Sequence, residues 1–191
     1  MTLSATPDPE VIEQFVNACH SNFDTVQRML DADPSLLNVR SKVNESGLEG
    51  AAHMGHRTIA EFLLGKGAPL DLCTAVMLGR QDEVREMIAA SPDVSGAMGA
   101  HRIPVMTFAA INGSLEIAEL LFSHGAVVNA EPDVVSPLHM AVFRDRPDMV
   151  AWLVERHASL TALFSGMTPL QMAEQQKRER VLAVLQKHIA S

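Results

Sequence analysis

The feature that most constrains this chain is an internal repeat whose copies follow one another at a nearly fixed interval. Ser136-Pro-Leu-His-Met-Ala-Val142 and Thr168-Pro-Leu-Gln-Met-Ala-Glu174 are two copies of one segment. Four further copies, two of them degenerate, precede these. A fixed period in the range of about 20–50 residues indicates a repeat architecture. The units begin near residues 12, 46, 70, 104, 136 and 168.

Each unit is predicted to fold as two short helices. In the fifth unit Ser136 can cap the first helix, and Pro137 follows where no backbone N–H is needed. Leu138, Ala141 and Val142 then recur at helical spacing, which indicates one buried face. An alanine occupies the same place in every unit, where backbones must approach closely: Ala18, Ala51, Ala75, Ala109, Ala141 and Ala173.

Glycines mark the turn between the two predicted helices of several units. Gly55, Gly79 and Gly113 lie where the chain needs a positive φ angle. The second helix again carries a single apolar stripe. One such helix pair cannot bury its own apolar face, so the units must stack on one another.

These patterns resemble ankyrin repeats. The resemblance rests on the openings SPLHMA at 136–141 and TPLQMA at 168–173, the turn at Gly55-His56 and the closing pair Gly67-Ala68. It covers residues from about 10 to 189 and implies an all-α solenoid of about six helix-turn-helix units with short β-hairpin fingers. It also implies a protein that binds other proteins. Only the fifth unit keeps the family's opening histidine, His139, so a thinner hydrogen-bond network is expected.

The spacing of the units predicts one irregular junction. The second and third units begin closer together than any other neighbouring pair, and Ala68-Pro-Leu-Asp71 leads almost directly into the next helix. We therefore expect the finger to be missing there. The last unit lacks the closing Gly-Ala and is polar enough to be a terminal cap. Residues 10–191 are predicted to form one ankyrin-repeat domain, after an N-terminal segment at residues 1–9 for which disorder is one option.

Composition excludes several classes of partner. The net charge of −8 would repel a nucleic-acid backbone or an anionic membrane. No stretch approaches the roughly 18 apolar residues of a membrane span, and no signal peptide is evident. Two cysteines are too few for a disulfide framework. We expect a cytoplasmic protein without nucleic-acid or membrane partners.

The sequence offers little chemistry. His53 and His56 have no carboxylate or thiol nearby in the sequence, and no HExxH or CxxC pattern occurs. A GxSxG elbow and a phosphate-binding glycine loop are also missing. Cys19 and Cys73 fall on first helices, where small residues pack. The expectation is no enzyme, with no catalytic residue, no cofactor and no metal.

The opposite face of the first helices is more informative, because it is largely apolar where a solvated face should be polar. Monomeric proteins seldom expose continuous apolar patches beyond a few hundred Å². Methionine and phenylalanine also suit a binding groove. The sequence therefore predicts a strip on the concave surface that binds a partner polypeptide: Met54, Met77, Leu78, Phe108, Ile111, Met140, Phe143 and Arg144.

Alternatives to this strip remain open. Fingers or the N-terminal segment can cover its side chains, or a second copy of the chain can bind there as a homodimer. The chain can also act as an accessory regulator of an enzyme. Polar replacement of Phe108 and Phe143 tests the strip, and light scattering separates the homodimer from the binder of another protein.

Overall fold

The computed structural model describes residues 7–94 and 96–189, and the chain divides into two compact units, residues 1–74 and 75–191. Within the described ranges there are twelve α-helices and no extended strand, which confirms the all-α prediction. None of these helices has the length and hydropathy needed to cross a bilayer. Residues 1–6 of the predicted N-terminal segment lie outside the described residues.

The first unit contains two helix pairs. Helix α1 packs on α2 and α3, and α3 packs on α4. Its core is built from side chains such as Phe15, Leu30 and Leu63. The helices are α1 (Pro9–Cys19), α2 (Phe23–Ala32), α3 (Gly47–Met54) and α4 (Arg57–Gly65), with a 3-10 helix at Pro34–Asn38.

Helix α5 (Leu72–Leu78) contains the division between the units. In the second unit the first helices of successive repeats pack side by side, α7 on α9 and α9 on α11, while α10 packs on α9 and α12. The helices are α6 (Gln81–Ala90), α7 (Val105–Asn112), α8 (Leu115–Ser123), α9 (Pro137–Phe143), α10 (Pro147–Glu155), α11 (Pro169–Gln175) and α12 (Glu179–Ile189), with a 3-10 helix at Ala100–Arg102.

The predicted caps and turns are present. The Ser136 hydroxyl accepts a hydrogen bond from the His139 backbone N–H at 3.2 Å, and Pro137 is the first residue of α9. Gly55, Gly79 and Gly113 all have positive φ, between 71° and 89°. The repeated alanines are buried, five of them fully, as expected where backbones approach closely.

The fingers are single antiparallel bridges rather than strands in the described part of the chain. These bridges pair Arg40 with Ser46, Met98 with Pro104 and Phe164 with Met167. Residues 66–71, all of which the structure describes, contain no bridge. The short spacing between the second and third units is therefore matched by a plain turn.

His139 links two consecutive repeats. Its ring Nδ1 lies 2.8 Å from the Ser136 hydroxyl, and its Nε2 lies 3.0 Å from the Met167 carbonyl. Burial lowers the pKa of His139, an effect that the bond to Met167 only partly offsets. A neutral imidazole is thus used as a fixed hydrogen-bonding element of the scaffold.

Candidate functional site

The structure separates the predicted strip into buried and exposed residues. Met77, Leu78, Phe108 and Ile111 are between 1% and 6% exposed. Phe143 is 49% exposed. Met54, in the first unit, is 42% exposed, whereas Met140 and Arg144 are half-buried. Four of the eight predicted strip residues are therefore buried side chains rather than surface ones.

The burial of Phe108 and Ile111 follows from the packing of α7. Every residue of this helix from 105 to 111 is buried. The sequence reading assigned α7 one packing face and one open face. Helix α7 packs on α8 and α9, and its apolar residues on both faces are part of the core.

In the second unit, the exposed part of the strip lies at the carboxyl end of α9. We name Met140, Phe143 and Arg144 the α9 patch. The Arg144 guanidinium lies 5.8 Å from the centroid of the Phe143 ring. Burial, and then the charge of Arg146, lower the pKa of Arg144.

The backbone under the α9 patch is held by the following repeat. Arg178 Nη2 donates a hydrogen bond to the Phe143 carbonyl at 3.0 Å. The same guanidinium lies 4.0 Å from the Asp145 carboxylate. The carbonyls of a helix end need partners outside the helix, and Arg178 supplies one while the Phe143 ring faces solvent.

A second aromatic group, which the sequence reading missed, lies on the second helices α8 and α10. Trp152 packs edge-on against Phe122 with ring centroids 5.8 Å apart, and the Arg156 guanidinium lies 4.0 Å from the Trp152 ring. Glu119 accepts hydrogen bonds from Arg156 at 2.6 Å and from Trp152 at 3.1 Å. We name Glu119, Phe122, Trp152 and Arg156 the outer cluster. Glu119 and Trp152 are separated by about one repeat length, and this spacing could have revealed the cluster.

Three ionisable side chains converge in the first unit, although the sequence suggested no such group. His20 Nε2 lies 3.3 Å from Glu45 Oε2, and His53 Nδ1 lies 2.9 Å from Glu45 Oε1. Burial alone would raise the pKa of Glu45, but the hydrogen bonds and charges of the two histidines lower it overall. The hydrogen bond to Glu45 raises the pKa of His20. We name these three residues the His–Glu–His group.

The two cysteines do not have the environment of reactive thiols. Both are buried and free. Burial, reinforced by the Glu45 carboxylate, raises the pKa of Cys19 to about 12. Burial likewise raises the pKa of Cys73. Thiolates are the nucleophilic form, so both side chains act as packed apolar groups at neutral pH.

Comparison with known proteins agrees with this architecture. Residues 72–163 match the family model described as ankyrin repeats, in three copies. The cyclin-dependent kinase 4 inhibitor B of Rattus norvegicus is 32% identical over 117 residues, which are 60% of this chain and 88% of that protein. The same inhibitor from Mus musculus is 31% identical over 117 residues, again 60% of this chain and 88% of that protein.

Ankyrin repeats mediate protein binding and are typically non-catalytic. The described residues form six helix pairs with a buried alanine at each equivalent position. The family model and the two kinase inhibitors match the same chain. The chain belongs to the ankyrin-repeat proteins.

Proposed function

We propose that this chain is a non-catalytic module that binds a partner polypeptide through the α9 patch, and that the partner is a protein kinase. The observation that carries the proposal is the half-exposed Phe143 ring on a first helix. Aromatic and arginine side chains dominate the energetic centres of protein interfaces. The α9 patch combines an aromatic ring, Phe143, with an arginine, Arg144. Arg178 holds the backbone beneath them through its hydrogen bond to the Phe143 carbonyl.

The buried members of the strip have a supporting part in this proposal. Met77, Leu78, Phe108 and Ile111 form core beneath the first-helix surface and give it a fixed shape. A rigid surface loses less conformational entropy on binding than a flexible one. Met54 is exposed in the first unit, and its contact with the partner is part of the same proposal.

The kinase class comes from the relatives. Two proteins named as inhibitors of cyclin-dependent kinase 4 align with this chain over 88% of their own length. The acidic net charge of −8 suits a partner with a basic docking surface. A kinase of the cyclin-dependent class is therefore the first partner to test. The cytoplasm is the proposed place of this encounter.

The proposal is tested by comparing Phe143→Ser with a matched surface control. Phe122→Ser removes a phenylalanine of similar exposure, 39%, from the second-helix face. Binding to purified rat cyclin-dependent kinase 4 and to a panel of other kinase domains is measured by surface plasmon resonance. We expect Phe143→Ser to weaken binding at least tenfold, which corresponds to about 1.4 kcal/mol, and Phe122→Ser to leave it within a factor of about two.

Equal effects of the two substitutions would remove the α9 patch from the proposal. Absence of binding to every kinase in the panel would remove the kinase. Phe108 is not suitable for this test, because it is 1% exposed and replacing a buried phenylalanine costs about 3–5 kcal/mol of stability.

Two alternative functions have their own tests. A homodimer would show twice the chain mass in light scattering, with Phe143→Ser shifting the mass toward the monomer. An accessory regulator of an enzyme would change the activity of the kinase that it binds, whereas a simple scaffold would leave that activity unaltered.

A further inference from the structure

The His–Glu–His group is built from three separate elements of the first unit. His20 caps the carboxyl end of α1, Glu45 lies in the finger directly before the first turn of α3, and His53 lies in the last turn of α3. We propose that His20, Glu45 and His53 bind a divalent transition-metal ion of the zinc class, in a site that ties α1, the finger and α3 together. This inference is independent of the proposed partner.

The donor atoms are spaced as a small metal ion requires. Zinc binds histidine nitrogen and carboxylate oxygen at about 2.0–2.2 Å in a tetrahedral arrangement, which places neighbouring donors roughly 3.3–3.5 Å apart. The two nitrogen–oxygen separations are 3.3 Å and 2.9 Å. Donor atoms of this group lie no more than 4.8 Å from one another, so small rotations of the side chains bring all three onto one ion.

The orientation of His20 supports the same conclusion. Its Nδ1 lies 3.3 Å from the Asn17 carbonyl oxygen, an acceptor to which a protonated Nδ1 donates. With Nδ1 donating to this carbonyl, Nε2 is the nitrogen that faces Glu45, and a bound ion would displace the proton that Nε2 donates to Glu45. Histidine ligands of metals commonly donate their other ring N–H to a backbone carbonyl, which fixes the tautomer and the ring plane.

The backbone of Glu45 is held on both sides by Ser41. The Ser41 N–H donates to the Glu45 carbonyl at 2.8 Å, and the Ser41 hydroxyl accepts from the Glu45 N–H at 3.2 Å. The His20 imidazole lies beside Gly50 of α3, where an added Cβ atom would be 3.4 Å from Nε2, an ordinary contact distance. The finger and α3 therefore place the carboxylate and the ring against each other.

Exposure and charge also suit a bound cation. The Glu45 side chain is only 4% exposed, whereas His20 and His53 are 23% and 12% exposed. The shielded Glu45 carboxylate contributes the negative charge that a bound cation requires. Imidazole favours zinc, copper, iron and nickel over magnesium and calcium, so the donor set selects the transition metals.

The test is titration of the full, chelator-treated chain with Zn²⁺ by isothermal calorimetry, with Mg²⁺ as the competing hard cation. We expect one Zn²⁺ per chain, unaffected by millimolar Mg²⁺, and a higher thermal midpoint when Zn²⁺ is present. His20→Gln, Glu45→Gln and His53→Gln should each weaken binding at least tenfold. His124→Gln, a half-buried histidine of the second unit, should leave binding unchanged.

A variant that fails to fold would not decide the matter, so the wild-type chain supplies a second readout. Zn²⁺ should shift the histidine ring nitrogen resonances of His20 and His53 selectively in NMR spectra. In calorimetry, a stoichiometry near zero or one half, or equal binding by His53→Gln and wild type, would overturn the site. In NMR, shifts confined to other histidines would do the same. Each of these results would leave the group as a hydrogen-bonded network only.

Discussion

Replacing Gly79 with alanine probes the turn between α5 and α6 at a position where the structure defines the consequence. Gly79 has a φ of +72°, and a Cβ atom there would lie 2.7 Å from Nδ2 of Asn112. That Nδ2 donates a hydrogen bond to the Met77 carbonyl at 3.2 Å. Ordinary contact begins at 3.4 Å, so the amide must move by about 0.7 Å, enough to break a bond of this length.

The expected magnitude has three parts. A side chain at positive φ costs about 1 kcal/mol. Alanine also reduces the conformational entropy of the unfolded chain, which stabilises the folded state by about 0.4–1 kcal/mol. Losing the hydrogen bond of a half-buried amide costs about 1 kcal/mol. Gly79→Ala should therefore destabilise the protein by about 1–1.6 kcal/mol.

Gly166→Ala is the matched control in the same unit. Gly166 has a φ of +75°, and a Cβ atom there meets nothing within 4 Å. Gly166→Ala therefore carries the same cost of positive φ and the same gain from the unfolded state, but it breaks no hydrogen bond. Urea unfolding followed by circular dichroism should place Gly79→Ala about 1 kcal/mol below Gly166→Ala. In an Asn112→Ala background most of that difference should vanish. Equal destabilisation by the two alanines, or a gap that Asn112→Ala leaves intact, would refute the reasoning.

Two further predictions concern His139. His139→Leu should cost about 1–3 kcal/mol in urea unfolding, because Ser136 and Met167 lose a buried hydrogen-bond partner; a cost below about 0.5 kcal/mol would contradict the bridging role. The pKa of His139 is lowered by burial from 6.5, so its stabilising contribution is complete above the unfolded value and is lost as pH falls through the folded one. The difference in unfolding free energy between wild type and His139→Leu should therefore become smaller as the pH falls below 6.5. A difference that does not change with pH would show that the ring is not held neutral.

The local features of the repeats could be predicted from sequence because each depends on a few neighbouring residues. The cap at Ser136, the left-handed turn at Gly113 and the buried Ala141 all follow from spacing within one unit. The last two units conform without glycine, since Asp145 and Lys177 adopt φ angles of +54° and +55° where three other units have glycine. Such positions obey rules of backbone geometry that tertiary packing does not alter.

The functional surface was harder to predict, because burial is decided by neighbours that are distant in sequence. Phe108 and Phe143 fall on the same face of the first helices in consecutive units, yet one is core and the other is 49% exposed. Phe108 lies in the middle of α7, whereas Phe143 is the last residue of α9, beside the turn. The apolar pattern within one unit does not record which neighbours cover each position.

The His–Glu–His group was missed for a related reason. Glu45 is separated from His20 by the whole of α2 and from His53 by most of α3. Neither interval is a known ligand spacing, and Glu45 precedes α3 rather than lying on it. The finger carries the carboxylate to the imidazoles only once α1 and α3 have packed together.

The central claim, that the α9 patch contacts the partner, is tested most directly by hydrogen-exchange footprinting. Amide exchange is measured for the chain alone and in complex with a kinase domain that it binds. We expect slowed exchange in α9 and the turn after it, around Phe143, with no change around the outer cluster. Protection confined to α8 and α10, or exchange in α9 that is the same with and without the kinase, would contradict it.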